Sequence, residues 1–319
     1  MHRIAILNRG EPALRFLRAL REYNIEHSTQ MVGVAFFTEP DRHAPFVRFA
    51  DVSVFLGEPM RQTESGASIS TYCDHDFVIQ QLVKNKCDAV WPGWGFVSED
   101  AGFVGKLEKE GILFIGPSSD AMYRLGDKIA SKYMAEACLV PLASWAEVDD
   151  DDEQHSIFKQ ASRIGYPLMV KASAGGGGRG IIKVNREEEL LSALYKVREA
   201  VAKVFGQGGI LMEACVTNAR HVEVQFVVNT LGRAFSLGVR DCSIQRKNQK
   251  VIEETPSPIL PSEIEDELCR VTARLAQHAG YVGVGTAEYL YHPKNKVCTF
   301  LEVNSRLQVE HTITELVTG

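Results

Sequence analysis

The chain has 319 residues, 45% of them hydrophobic and 24% charged, with a formal net charge of −6, and its mean hydropathy is −0.10. That length accommodates two or three lobes, each with its own core. No block of Lys or Arg is present, so neither a nucleic-acid partner nor an anionic membrane surface is expected, and any phosphate binding must be local.

No uninterrupted apolar stretch is long enough to span a bilayer. The seven cysteines (Cys73, Cys87, Cys138, Cys215, Cys242, Cys269 and Cys298) are scattered, odd in number and form no C-x-x-C pair. This argues against a disulfide framework and a structural zinc site, and for a reducing compartment. The chain opens directly on a strand-like run at 4–7 with no basic or apolar leader. A cytoplasmic enzyme, or a cytoplasmic domain of one, is the expectation.

From 1 to 126 short apolar runs (4–7, 32–37, 51–56, 89–91, 113–115) alternate with helical stretches such as 11–21 and 77–84. Gly and Pro mark the joints at Asn8-Arg9-Gly10, Pro92-Gly93 and Gly116-Pro117. The pattern predicts a Rossmann-like open parallel sheet with covering helices. The acidic run 149–153 reads as a solvated loop or linker.

A second lobe, placed at 127–215, reads as strand 166–173, a Gly-rich loop, strand 181–184, a helix and strand 210–213. The helix carries apolar residues at Leu190, Leu194, Val197, Val201 and Val204, with Asn185 and Glu188 as its N-terminal cap. In the third lobe, 216–319, the period becomes two. Val222, Val224, Phe226 and Val228 share one face, and His221, Glu223 and Gln225 the other. Asn229-Thr230-Leu231-Gly232 predicts a hairpin turn. A helix opened by the capping box Ser262-x-x-Glu265 and ending at Gly280 follows, then a second hairpin with strands near 284–291 and 297–304.

In that last hairpin a loop centred near Asn295 sets Glu288 opposite Glu302, while Asn304 shares the face of Glu302. Facing carboxylates repel unless a cation lies between them, and hard oxygen ligands suit Mg²⁺ or Mn²⁺. In Lys171-Ala172-Ser173-Ala174-Gly175-Gly176-Gly177-Gly178-Arg179-Gly180, four consecutive glycines leave backbone N–H groups free to wrap phosphate oxygens. The segment lacks the ending of a Walker loop and the spacing of a dinucleotide fingerprint. It reads as a mobile lid over a nucleotide.

The Gly-rich lid, Met212-Glu213, Arg220-His221-Val222-Glu223 and Glu302-Val303-Asn304 resemble the ATP-grasp superfamily. Asn8-Arg9-Gly10-Glu11, Pro92-Gly93-x-Gly95-Phe96, Gly126-Asp127-Lys128, Arg240-Asp241-Cys242-Ser243, Gln249-Lys250 and Arg306-Leu307-Gln308-Val309-Glu310-His311 narrow the resemblance to biotin carboxylases. The resemblance runs through the whole chain in order. It implies a pre-ATP-grasp domain followed by a two-lobed ATP-grasp domain, the last lobe incomplete, so that this chain is expected to be a piece of a longer protein.

The same resemblance implies site residues. Lys128, Lys171 and His221 would hold the phosphates and ribose of ATP. Gly176, Gly177 and Gly178 would form the lid, Glu213 would sit at the adenine, Gln245 near the ribose, and Leu290 would complete the nucleotide site. Glu288, Glu302 and Asn304 would hold Mg²⁺ or Mn²⁺. Lys250, Arg306, Gln308 and Val309 would cradle bicarbonate, Glu310 would deprotonate it, and Arg306 would stabilise the ureido oxygen of biotin. The implied partners are a biotin carboxyl carrier protein or domain and a carboxyltransferase, with a homodimer compatible. Another bicarbonate-activating ATP-grasp ligase, of the carbamoyl-phosphate synthase type, and a non-catalytic ATP-binding domain are the alternatives.

Four positions depart from the family pattern. Trp91 and Trp94 replace His and Tyr in the Pro-Gly turn and are expected to pack at a lobe interface. Asn248 replaces a His, and Ala214 a Lys beside the adenine-site Glu.

Overall fold

The computed structural model describes residues 2–63, 66–149, 152–173, 180–204, 208–246 and 249–319. The chain forms two compact units, Met1–Met122 with Ser305–Val309, and Tyr123–Asn304 with Glu310–Gly319.

The first unit is built on β1 (Arg3–Ile6), α1 (Gly10–Glu26), β2 (Val32–Phe37), α2 (Pro45–Phe49), β3 (Val52–Phe55), the hairpin of β4 (Met60–Gln62) and β5 (Ser68–Ser70), α3 (His75–Lys84), β6 (Ala89–Trp91), α4 (Ala101–Lys109) and β7 (Leu113–Phe114). Its main sheet is parallel, ordered β3-β2-β1-β6-β7. Every residue of β2 is buried, as a parallel strand covered on both faces requires. Helix α1 buries Ala13, Leu17 and Leu20, one stripe at helical spacing. Asp74 and Asp100 accept hydrogen bonds from the Phe77 and Phe103 amides and so cap α3 and α4.

The strand order reverses between β1 and β6, and the loops leaving these two strands are tied together. The Asn8 amide donates to the Pro92 carbonyl at 2.7 Å and to the Trp94 carbonyl at 2.9 Å. Gly93 has φ +63°, and a Cβ there would lie 2.7 Å from Asn8 Nδ2 and 2.8 Å from the Trp91 ring. Only glycine fits that turn. Trp91 stacks on Phe16 at 4.4 Å. This contact lies within the first unit.

Helix α5 (Ser119–Gly126) runs across the division between the units. The second unit continues with α6 (Lys128–Ala137), β8 (Trp145–Val148), α7 (Gln154–Ile164), β9 (Leu168–Ala172), β10 (Ile181–Val184), α8 (Leu190–Val204) and β11 (Ile210–Ala214). The strands form an antiparallel sheet ordered β10-β9-β11-β8. Ile157, Ala161 and Ile164 of α7 and Leu190, Leu194, Val197 and Val201 of α8 are buried against it. The N-terminal cap of α8 differs from expectation. A 3-10 turn over Glu187–Glu189 precedes the helix, and Glu189, not Glu188, accepts from the Asn185 amide.

A second antiparallel sheet, ordered β14-β13-β12-β15-β16, comprises β12 (Arg220–Val228), β13 (Ala234–Arg246), β14 (Gln249–Glu254), β15 (Gly283–His292) and β16 (Val297–Asn304), with α9 (Ser262–His278) and α10 (His311–Thr318). The expected turn at 229–232 is present. The Asn229 amide donates to the Arg233 carbonyl, and its side chain accepts from the Leu231 and Arg233 amides. The capping box at Ser262 is absent, because Pro261 takes the N-cap position and Ser262 begins the helix without a side-chain cap bond. Glu223 and Gln225, on the face opposite the apolar one, are 0% and 3% exposed, and both accept from the buried Arg240 side chain. Among the described residues no helix is long and apolar enough to cross a membrane. All seven cysteines are free thiols.

Candidate active site

The ion-pair cluster of the second sheet centres on Lys250. Register sets Glu223 of β12 beside Glu288 of β15, and Glu288 opposite Glu302 of β16, as the hairpin length predicted. The Lys250 ammonium donates to Glu223 at 2.5 Å, to Glu310 at 2.6 Å and to Glu288 at 3.1 Å. Burial opposes charge on Lys250, but the Glu288 and Glu223 carboxylates outweigh it and raise its pKa above the ordinary lysine value. Burial likewise works against the Glu310 carboxylate, and Lys250 outweighs it, holding Glu310 below the usual range.

His221 Nε2 lies 2.9 Å from Glu288 Oε2, and its Nδ1 lies 2.8 Å from the Gln245 amide nitrogen. Burial opposes the imidazolium and the Glu288 carboxylate favours it, with a net upward shift. Burial would raise the Glu288 carboxyl, but His221 and Lys250 pull it down to about 2. Leu290 is the register partner of His221 on β15.

Around the first antiparallel sheet a second charged cluster is more deeply enclosed. Glu213 of β11 accepts from Lys132 of α6 and from Lys171 of β9, the latter at 2.5 Å. The three residues are 4%, 1% and 9% exposed in that order. Burial opposes ionisation of Glu213, and the two ammonium groups overcome it. For Lys132 burial wins against Glu213 and depresses the pKa. Two buried ammonium groups sharing one carboxylate leave a surplus positive charge that a bound anion would offset. Lys128 opens α6 after the cap residue Asp127, and its ammonium lies 3.9 Å from Glu302. Gly176, Gly177, Gly178 and Asn248 lie outside the described residues.

Arg306, Gln308 and Val309 belong to the first unit. Arg306 Nε donates to Glu99 at 2.8 Å, and the neighbouring Ser305 amide donates to the same carboxylate at 3.2 Å. Gln308 is buried and Val309 exposed.

The residues present fit a hard divalent cation. Glu288, Glu302 and the amide oxygen of Asn304, once its side chain turns, are oxygen ligands of the kind Mg²⁺ takes. In this structure Asn304 instead donates its amide to Glu288 at 2.8 Å. The repulsion expected between Glu288 and Glu302 is nevertheless relieved by protein cations, Lys250 on one side and Lys128 on the other, so it does not by itself require a metal.

Reading the sequence missed Glu99 and Lys132 as candidate-site residues. Glu223 and Arg240 were seen only as parts of motifs. An ionisable residue at an apolar-periodic helix position is the one signal that Lys132 offered.

A family model described as the biotin carboxylase N-terminal domain matches residues 1–122, and one described as the carbamoyl-phosphate synthase L chain ATP-binding domain matches 127–319. The chain is 38% identical over 319 residues to the biotin carboxylase of Allochromatium vinosum, covering 100% of this chain and 68% of that protein. It is 40% identical over 316 residues to urea amidolyase of Saccharomyces cerevisiae, covering 99% of this chain and 16% of that one. The solved biotin carboxylase domain dimer of Hydrogenobacter thermophilus 2-oxoglutarate carboxylase, in complex with MgADP, ADP and bicarbonate, superposes with a TM-score of 0.87 at 33% identity, over 99% of this chain and 66% of that one. The chain thus spans about two thirds of the biotin carboxylases it matches and a small part of the amidolyase.

Proposed function

Because this chain belongs to the biotin carboxylase family, we propose that it carries the ATP- and bicarbonate-activating part of an enzyme that carboxylates biotin. The reaction is ATP-dependent carboxylation of biotin borne on a carrier protein or domain, ahead of carboxyl transfer by a carboxyltransferase. A cytoplasmic location and a homodimer belong to the same reading. So does the division into a pre-ATP-grasp domain over 1–126 and ATP-grasp lobes over 127–215 and 216–319.

Lys128, Lys171 and His221 bind the nucleotide phosphates and ribose, with Gly176, Gly177 and Gly178 as the lid. Glu213, Gln245 and Leu290 line the nucleoside end. Glu288, Glu302 and Asn304 would hold Mg²⁺, which when bound offsets phosphate charge. Glu310 takes the proton of bicarbonate, whose oxygen attacks the γ-phosphorus of ATP to give carboxyphosphate and ADP. Carboxyphosphate breaks down to CO₂ and phosphate, the phosphate takes the proton from the biotin ureido nitrogen, and that nitrogen captures CO₂. Lys250, Arg306, Gln308 and Val309 hold bicarbonate, and Arg306 also stabilises the negative ureido oxygen. Removing such a donor costs roughly 2.7–4 kcal/mol of barrier.

The observation that supports the reading most is the Lys250 ammonium, which bridges Glu310 to Glu223 and Glu288 at 2.5–3.1 Å. It places a fixed positive charge beside a carboxylate held ionised, as a bicarbonate base needs. The test is bicarbonate-dependent ATP hydrolysis by the parent protein, with and without free biotin, comparing wild type with Lys250→Ala. Stimulation by biotin and its loss in the variant are expected. Bicarbonate-dependent hydrolysis indifferent to biotin would move the substrate to that of another ATP-grasp ligase. No bicarbonate dependence would leave a nucleotide-binding domain.

A further inference from the structure

Resting on the biotin carboxylase reading, we propose that Arg240 is a positioning residue that holds Lys250 and Glu310 in register during proton transfer. Arg240 stands mid-strand in β13 and is 1% exposed. Its guanidinium reaches four side chains on three elements. Nε donates to Glu223 Oε1 at 2.6 Å, Nη1 to Gln225 Oε1 and to Thr314 Oγ1 at 2.8 Å, and Nη2 to Thr286 Oγ1 at 3.4 Å. Glu223 and Gln225 lie on β12, Thr286 on β15 and Thr314 on α10.

Two consequences follow from this geometry. First, Glu223 is 0% exposed, so both of its oxygens need partners inside the protein. Arg240 binds one of its oxygens, which leaves the other aimed at Lys250 at 2.5 Å. When Glu310 takes the bicarbonate proton, its pull on Lys250 weakens. Glu223, fixed by Arg240, keeps the ammonium where it was.

Second, Glu310 is the N-cap residue of α10, and Thr314 lies four residues on, one turn along the helix. The Arg240–Thr314 bond fastens that first turn to the sheet and so sets where the Glu310 carboxylate stands. A lysine cannot replace this fork. Its single ammonium has neither the span nor the fixed plane to serve a carboxylate, an amide and two hydroxyls together.

Steady-state kinetics of bicarbonate-dependent ATP hydrolysis by the parent protein test the proposal, using Arg240→Lys, Thr314→Val and Thr314→Ser. Arg240→Lys is expected to lower kcat by roughly tenfold or more and to raise the KM for bicarbonate, with the KM for ATP within about twofold of wild type. Thr314→Val, which removes one arm of the fork and changes little volume, is expected to show the same pattern at a few-fold scale. Thr314→Ser, which keeps the hydroxyl, is expected to restore wild-type values. Should Arg240→Lys not fold, the two Thr314 variants decide alone.

Thr314→Val at wild-type kcat, or Thr314→Ser impaired as much as Thr314→Val, overturns the proposal. Loss of ATP affinity in step with kcat also overturns it, since that marks general loosening of the sheet. A wild-type protein without bicarbonate-dependent hydrolysis removes the underlying reading, and this inference with it.

Discussion

Glu99 grips Arg306 by its Nε and takes the adjacent Ser305 amide on its other oxygen, at 2.8 and 3.2 Å. One carboxylate thereby fixes both the side chain and the backbone that bears it. The pair is partly exposed, with side-chain exposures of 40% and 22%, so its contribution to folding is small, about 0–1 kcal/mol. Its effect on where the guanidinium points is larger. Glu99→Gln is therefore expected to unfold within about 1 kcal/mol of wild type. On the proposed function, biotin carboxylation by the parent protein carrying this substitution should fall by roughly tenfold. Thermal melts and steady-state rates on the same preparation separate the two effects. Unchanged carboxylation would show that Arg306 needs no such hold.

The Lys132–Glu213–Lys171 cluster predicts an asymmetry between its members. Glu213 faces two ammonium groups, so Lys132→Met leaves it one partner and removes a buried charge. That variant is expected to be the less destabilised of the two, since Lys171 still pairs with Glu213. Glu213→Gln leaves two buried cations without their carboxylate, and a loss of about 3–5 kcal/mol is expected. Denaturant unfolding of both variants checks the order, and a Lys132→Met protein less stable than Glu213→Gln contradicts it.

Short-range features of the fold were legible in the sequence, and so was the part of the site that depends on them. The facing of Glu288 and Glu302 follows from hairpin length and the two-residue period, and the structure has that register. The parallel first sheet follows from alternating apolar runs and helices. Periodicity names a face without naming what covers it, however. Arg306 meets Glu99 across 207 positions, Lys132 meets Glu213 across 81, and Arg240 meets Thr314 across 74. Such pairs exist only once strand order is set. Ser262 fails as a cap for a local reason, since Pro261, held extended at φ −62° and ψ 144°, takes the cap position itself.

Asp241 carries a pH dependence that can be read in stability. One carboxylate oxygen accepts from the Ser243 amide and hydroxyl, the other from Arg220 and the Ser257 hydroxyl. Burial pushes its pKa up, but the bonds from Ser243 and Arg220 outweigh that and hold it below the ordinary 3.8. A carboxyl depressed in the folded state adds stability above its unfolded pKa, and that stability fades as pH falls through the folded value. Asp241→Asn is expected to be less stable than wild type at pH 7 by about 1.5–3 kcal/mol. The gap should narrow below about pH 4 as wild type loses its advantage. Urea midpoints at pH 7 and at acid pH measure this, and a gap that widens in acid contradicts it.

Gly285 offers a packing prediction without charge. It lies in β15 against Phe226 and Tyr281, themselves an edge-to-face pair at 5.1 Å. A Cβ at Gly285 would stand 2.5 Å from Phe226 Cζ and 3.0 Å from the Tyr281 hydroxyl. Both rings are 1% exposed, so neither has solvent to move into. Gly285→Ala is expected to destabilise the second unit by about 1–3 kcal/mol, as overpacking of a closed core does. Gly126→Ala is the matched control. Gly126 is in helix α5, and a Cβ there meets nothing within 4 Å. Alanine in a helix is worth up to about 1 kcal/mol over glycine, so this variant should melt no lower than wild type. Gly285→Ala melting at the wild-type temperature would mean that the Phe226–Tyr281 pair can give way, and would remove the steric reason for glycine at that position.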